Sequence, residues 1–178
     1  MSQHDQQSLQ VGVIGLGAMG MGTATVLLQR GIKVTGCDIS VDARDAFVAA
    51  GGRSVATPSE LAHCHIVLVV VVNGLQVEQV LFGEQGVASQ LAPGSLIMQC
   101  ATVAPSQAKQ LGERLSAQGL MMLDAPISGG AAKAKSGELS VMASGAPETF
   151  TYAQGVLDAM AAKVYRLGDA PGVGSSMK

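Results

Sequence analysis

Val11-Gly12-Val13-Ile14-Gly15-Leu16-Gly17-Ala18-Met19-Gly20 begins as an apolar, β-branched strand, runs into Gly15-x-Gly17-x-x-Gly20 and continues as an apolar helix. Each glycine has a separate reason to be there. Gly15 permits the tight turn, Gly17 carries no Cβ and lets a pyrophosphate approach the backbone, and Gly20 lets the helix pack close to the strand. The helix start, with Ala18 and Met19, offers free N–H groups and the positive end of the helix dipole. A helix from about Met19 to Arg30 should end at Gly31, a typical residue after a helix C-terminus. The apolar run Ile32–Cys37 then delivers Asp38, 18 residues beyond Gly20, where a ribose-binding carboxylate belongs. This strand, glycine loop, helix, strand and acid together predict a dinucleotide site. Asp38 opposes a 2′-phosphate, and Ile39-Ser40 bring no arginine to offset it, so the expected cofactor is NAD rather than NADP. Arg44, a full turn into the next helix, is expected on that helix's solvated face.

The composition suits a single well-packed domain: 178 residues, 48% hydrophobic and 13% charged. A formal net charge of −2 without a basic run gives no electrostatic footprint for nucleic acid or an anionic membrane. Residues 1–9 read as a polar tail without the apolar centre of a signal peptide, and Ile66–Val72 is too short to span a bilayer. A cytoplasmic protein is expected. Cys37, Cys64 and Cys100 are odd in number and far apart, which favours buried thiols over disulfides. His63-Cys64-His65 places neighbouring side chains on opposite faces of an extended segment, so no metal site is expected there.

Strands and helices alternate along the rest of the chain. Val41–Ala50 is helical, Arg53–Val55 extended, and Thr57-Pro58-Ser59-Glu60 has the form of a capping box. Ile66–Val72 lacks polar alternation, as expected of a strand buried on both faces of a parallel sheet. Asn73 at its carboxyl end is either a turn residue or a cofactor contact. Helical spacing resumes over Val77–Leu91 with a break at Gly83–Gly86, and Ser95–Cys100 is a strand. Thr102 either caps the helix Pro105–Ala117 or meets the cofactor. Leu120–Leu123 leads into Asp124-Ala125-Pro126-Ile127-Ser128-Gly129-Gly130, where consecutive N–H groups beside a serine hydroxyl suit an anion such as a carboxylate. A strand at Glu138–Ser144, a helix at Pro147–Met160 and a strand at Lys163–Leu167 complete the pattern. The expected fold is α/β, a doubly wound, Rossmann-type, mostly parallel sheet with helices on both faces.

Four separated motifs together resemble the β-hydroxyacid dehydrogenase family, which includes 3-hydroxyisobutyrate dehydrogenase and tartronate semialdehyde reductase. They are Gly15–Gly20 with Asp38, Ala101-Thr102 leading to Pro105, Asp124–Gly130, and Gly172-Val173-Gly174 with Lys178. Within the family, Val72–Val77 with Val80–Gly83, and Val141–Gly145, most resemble the branch that acts on L-threonate. The resemblance implies that Ser128, Gly129 and Gly130 hold a substrate carboxylate, that Val72, Asn73 and Thr102 lie beside NAD, and that Lys178 is the catalytic lysine. Relatives commonly carry serine where this chain has Ala101. They also continue past the lysine along an interdomain helix into an all-helical second domain, which is absent here. The expected division is therefore a tail over 1–9, an NAD-binding domain over 10–170 and the start of that helix over 171–178. By itself the chain should be inactive, with Lys178 a mobile, solvated lysine. The expected full-length protein is a homo-oligomer acting on a small hydroxy acid, L-threonate first, 3-hydroxyisobutyrate or tartronate semialdehyde as alternatives. The rival from another class is a non-catalytic NAD-binding module.

Overall fold

The structure, a computed structural model, describes residues 9–178. The tail expected over 1–9 lies outside the described residues except for Leu9, which packs partly buried against the core. Strand β1 (Gln10–Ile14) sits between β2 (Lys33–Cys37) and β4 (Ile66–Val69), parallel to both. Beyond β2 lies β3 (Arg53–Val55), and beyond β4 lie β5 (Leu96–Gln99) and β6 (Met121–Asp124), all parallel. The order β3-β2-β1-β4-β5-β6 reverses its winding between β1 and β4. A crevice opens at such a switch point beyond the carboxyl ends of the strands.

The strands are joined by α1 (Ala18–Gln29), α2 (Val41–Ala49), α3 (Gly74–Phe82), α4 (Pro105–Ala117), α5 (Gly130–Ser136) and α6 (Pro147–Met160), and α7 (Val173–Ser176) follows the last strand. Short 3₁₀ turns occupy Pro58–Leu61 and Ala88–Gln90. Two apolar layers result. Ile66 and Leu68 face one with Leu27 and Phe150, while Val67 and Val69 face the other with Val77 and Leu111. Burial on both faces explains the unbroken apolar run of β4.

The far edge departs from simple alternation. β7 (Ile127–Ser128) and β8 (Leu139–Ser144) pair antiparallel, and β9 (Ala161–Gly168) pairs parallel with β8. The pairs Asp124↔Ser144, Ile127↔Val141 and Ser128↔Ser140 share one register, so β6 and β7 follow a single extended path along β8.

Two sequence expectations change, and one helix is added. β4 ends at Val69, and Val72 beyond it is 80% exposed. Helix α3 starts at Gly74, three residues before Val77, because the Asn73 side chain caps it. Helix α5 lies where the sequence reading assigns no element: it opens on glycine and lacks an apolar stripe, although its Ala and Lys residues are good helix formers. No helix among the described residues is long and apolar enough to cross a membrane.

Candidate functional site

At the switch point, a cavity of about 540 Å³ is lined by Gly15, Gly17, Asp38, Ile39, Val70 and Val72, among others. Gly15 has φ +94°, and a methyl there would lie 2.3 Å from the Val70 carbonyl oxygen. A methyl on Gly20 would sit 1.7 Å from the Gly15 oxygen, so the start of α1 is pressed against the loop before it. At Gly17 an added methyl would meet nothing within 4 Å. The glycine facing open space is therefore the one whose bareness the fold itself does not require. Met21 N–H donates to the Gly17 carbonyl as the first helical bond, which leaves the N–H groups of Ala18, Met19 and Gly20 without an intrahelical acceptor.

Asp38 is tied to this loop. Its Oδ2 accepts from Leu16 N at 2.7 Å and its Oδ1 from Ser40 N at 2.8 Å, which fixes the carboxylate at the rim of the cavity. Arg44 does not lie free on the solvated face of α2. Its guanidinium folds back and donates to the carbonyls of Asp38 at 2.7 Å and Ile39 at 3.1 Å, because those carbonyls leave the sheet without strand partners. Ile39 and Val72 are 94% and 80% exposed on the cavity lining. Nearby, Glu60 accepts from Thr57 N and Oγ1, both at 2.9 Å, and these hydrogen bonds hold its carboxyl below the usual range.

Not every residue singled out lines this cavity. Ala18, Met19, Gly20, Asn73 and Thr102 do not. Asn73 Oδ1 accepts from Gln76 N at 3.0 Å, while Gln107 Nε2 donates to the Gly74 carbonyl at 3.0 Å, so this turn is held from both sides. Thr102 is exposed and does not cap α4; Ala104 occupies that position. The loop carrying Thr102 is shaped by buried Gln99, whose amide closes on Ala101 N and O at 2.6 and 3.0 Å.

A second group of residues meets at the β6–β7 path. Residues Met122–Ile127 are buried, then Ser128, Gly129 and Gly130 emerge into solvent, the glycines with φ +138° and +76°. Lys178 is not a free end, since its Nζ donates to the Ile127 carbonyl, one residue before Ser128. The segment just before it is held by Asp124, a fully buried carboxylate whose importance sequence reasoning misses. Asp124 Oδ2 accepts from Gly172 N at 2.9 Å and Ser175 N at 2.8 Å, and Oδ1 accepts from Ser175 Oγ at 2.7 Å. Ser144 Oγ donates weakly to Oδ2 at 3.4 Å and accepts from Gly174 N at 2.8 Å. An acid ending an apolar strand is the available signal, because a buried carboxylate demands donors.

The three thiols are buried, and Cys37 lies on the cavity lining. Burial pushes Cys37, Cys64 and Cys100 each up to about 12, so they remain protonated. Among the described residues no group of three or more His, Cys, Asp or Glu is placed to hold a metal ion.

A doubly wound sheet with a glycine loop at its switch point, a helix start with free N–H groups and an acid at the end of β2 defines a dinucleotide-binding domain. Residues 10–168 match the family described as the NAD binding domain of 6-phosphogluconate dehydrogenase, and the chain belongs to that family, with NAD as its cofactor. It is 52% identical over 172 residues to L-threonate dehydrogenase of Cupriavidus necator, covering 96% of this chain and 58% of that protein. With L-threonate dehydrogenase of Haemophilus influenzae it shares 44% over 176 residues, 98% of this chain and 58% of the relative. Among solved structures it is similar to 3-hydroxyisobutyrate dehydrogenase from Salmonella typhimurium, with a TM-score of 0.92 and 42% identity over 96% of this chain and 60% of that one. The chain thus spans somewhat under two thirds of the proteins it matches.

Proposed function

We propose that this chain is the cofactor-binding part of a dehydrogenase that oxidises a small hydroxy acid, with L-threonate as the substrate and residues 171–178 as the start of the connection to a second domain. The observation that carries this reading is the meeting of Lys178 with the Ile127–Ser128 segment across a sequence separation of 51 residues. A nucleotide-binding module without chemistry has no need of a lysine beside a serine and two exposed glycines.

In this reading Gly15, Gly17 and the free N–H groups of Ala18, Met19 and Gly20 hold the pyrophosphate, and Asp38 holds the ribose hydroxyls. The exposed apolar faces of Ile39 and Val72 receive rings, with Asn73 and Thr102 beside them. When bound, NAD supplies the acceptor for a hydride. Ser128, Gly129 and Gly130 hold the substrate carboxylate, which orients the hydroxyl-bearing carbon. Lys178 Nζ takes the hydroxyl proton and stabilises the developing oxyanion while the C–H electron pair leaves as hydride. The similarity to two L-threonate dehydrogenases supports the substrate. The protein is expected in the cytoplasm and, at full length, as a homo-oligomer.

The test uses the full-length product of the reading frame with NAD and a panel of small hydroxy acids. Lys178→Ala should lower kcat by about 10²–10⁴-fold, the range of acid–base catalysis. Lys178→Arg should be nearly as slow, because a guanidinium does not lose its proton at neutral pH. Near-full turnover in either variant would remove the catalytic role. A better rate with 3-hydroxyisobutyrate than with L-threonate would overturn the substrate.

A further inference from the structure

We propose that Asp124, with Ser144, is the positioning residue that sets where Lys178 stands relative to Ser128. This rests on the reading of Lys178 as the proton acceptor and assigns the group that makes its geometry reproducible. Asp124 is fully buried and has no ionic partner: among the described residues the ion pair formed is Arg114 with Glu78. Its charge is met instead by the hydrogen bonds from residues 172–175. Withdrawal of that segment would strand a buried acceptor without its donors. The segment is therefore held to one position.

The glycines make the docking possible. Gly172 has φ +106°, and a methyl on Gly174 would lie 2.5 Å from the Met142 carbonyl oxygen and 2.8 Å from that of Asp124. Only a bare backbone brings its N–H groups this close to the β6 and β8 ends. From Ser175 the chain reaches Lys178 in three residues, and Nζ lands on the Ile127 carbonyl. Asp124 and Ile127 lie on the same extended path, both in one register against β8. The lysine is thus anchored at its base and touched at its tip by one rigid element, which also carries Ser128. Orientation of this kind is what converts a nearby amine into an effective base.

Asp124→Asn in the full-length protein provides the test. The asparagine keeps the volume but loses the charge, so the bonds that Gly172 N and Ser175 N make to a carboxylate oxygen become bonds to a neutral amide oxygen, and these amides should exchange about 10–100-fold faster. NAD affinity should stay within about twofold, and kcat should fall about 10–100-fold with KM for the acid little changed. In a Lys178→Ala background Asp124→Asn should cost nothing further, since both changes remove one function. If it costs the same factor there, or if amide exchange at Gly172 and Ser175 is unchanged, the proposal is overturned. Ser175→Ala, which removes one donor, repeats both measurements with a milder change should Asp124→Asn not fold. Amide exchange judges the docking by itself, so a failure of Lys178 as the base, visible as turnover in Lys178→Ala, is told apart from a failure of Asp124.

Discussion

Two glycine-bearing segments converge on the carboxyl edge of this sheet, and they are governed from different distances. In Gly15–Gly20 the atom that excludes a side chain from Gly20 is the oxygen of Gly15, and the one that excludes it from Gly15 belongs to the adjacent strand end at Val70. In Gly172–Gly174 the excluding and bonding partners are Pro105, Asp124, Met142 and Ser144, at least 30 residues away. The first segment is a local device that a short sequence specifies. The second is a docking strip whose meaning depends on a carboxylate elsewhere.

Single methyl groups should separate the two. Gly20→Ala meets backbone at 1.7 Å and cannot be relieved by side-chain rotation. It should weaken NAD binding more than about 100-fold and lower the melting temperature markedly, by a mechanism of overpacking costing about 3 kcal/mol or more. Retained NAD affinity by calorimetry would mean that the start of α1 shifts freely. Gly174→Ala meets backbone as well, but far from the nucleotide cavity. It should lose about 1–3 kcal/mol in chemical denaturation and the protection of the Ser175 amide, with NAD affinity within about twofold. A large loss of NAD affinity would show the two segments to be coupled.

Gly17→Ala sharpens the contrast inside the first segment. Nothing lies within 4 Å of the added methyl, so stability should stay within about 0.5 kcal/mol while NAD affinity falls about tenfold. At neutral pH the smallest effect is that of the thiols, whose contribution appears only in alkali. They titrate near 9 when unfolded and near 12 when buried, so the unfolded chain releases protons first and stability declines as pH rises from about 9 to 12. Cys100→Ser should leave this slope shallower in alkaline melting curves, and an unchanged slope would place the titrating groups elsewhere.

The same contrast explains what was legible. Gly15, Gly17, Gly20 and Asp38 were readable because spacing along one βαβ unit fixes their meeting. The central position of β4 followed from its unbroken apolar run, and α4 and α6 matched their expected spans, each opening on proline. Helix α5 and the antiparallel β7–β8 pairing were not readable, since Ser128–Gly130 suggests a loop and nothing local announces a reversal. Arg44 escaped because helical spacing says which face a residue occupies, not that a long side chain turns back to carbonyls at the strand end. Asp124 escaped for the corresponding reason: its donors come from the other end of the chain.

Helices α1 and α5 pack against each other, and at their contact a methyl on Gly22 would stand 2.8 Å from the Ala134 Cβ and 2.9 Å from Lys135 N. Gly22 lies two residues past the end of the phosphate loop, and Ala134 four residues past Gly130. The two helices that begin at the proposed cofactor and carboxylate cradles therefore touch with almost no side chain between them. Their separation is set like that of two plates without a shim. Any residue larger than glycine at position 22 would widen the gap, and the two proposed cradles would move apart with it.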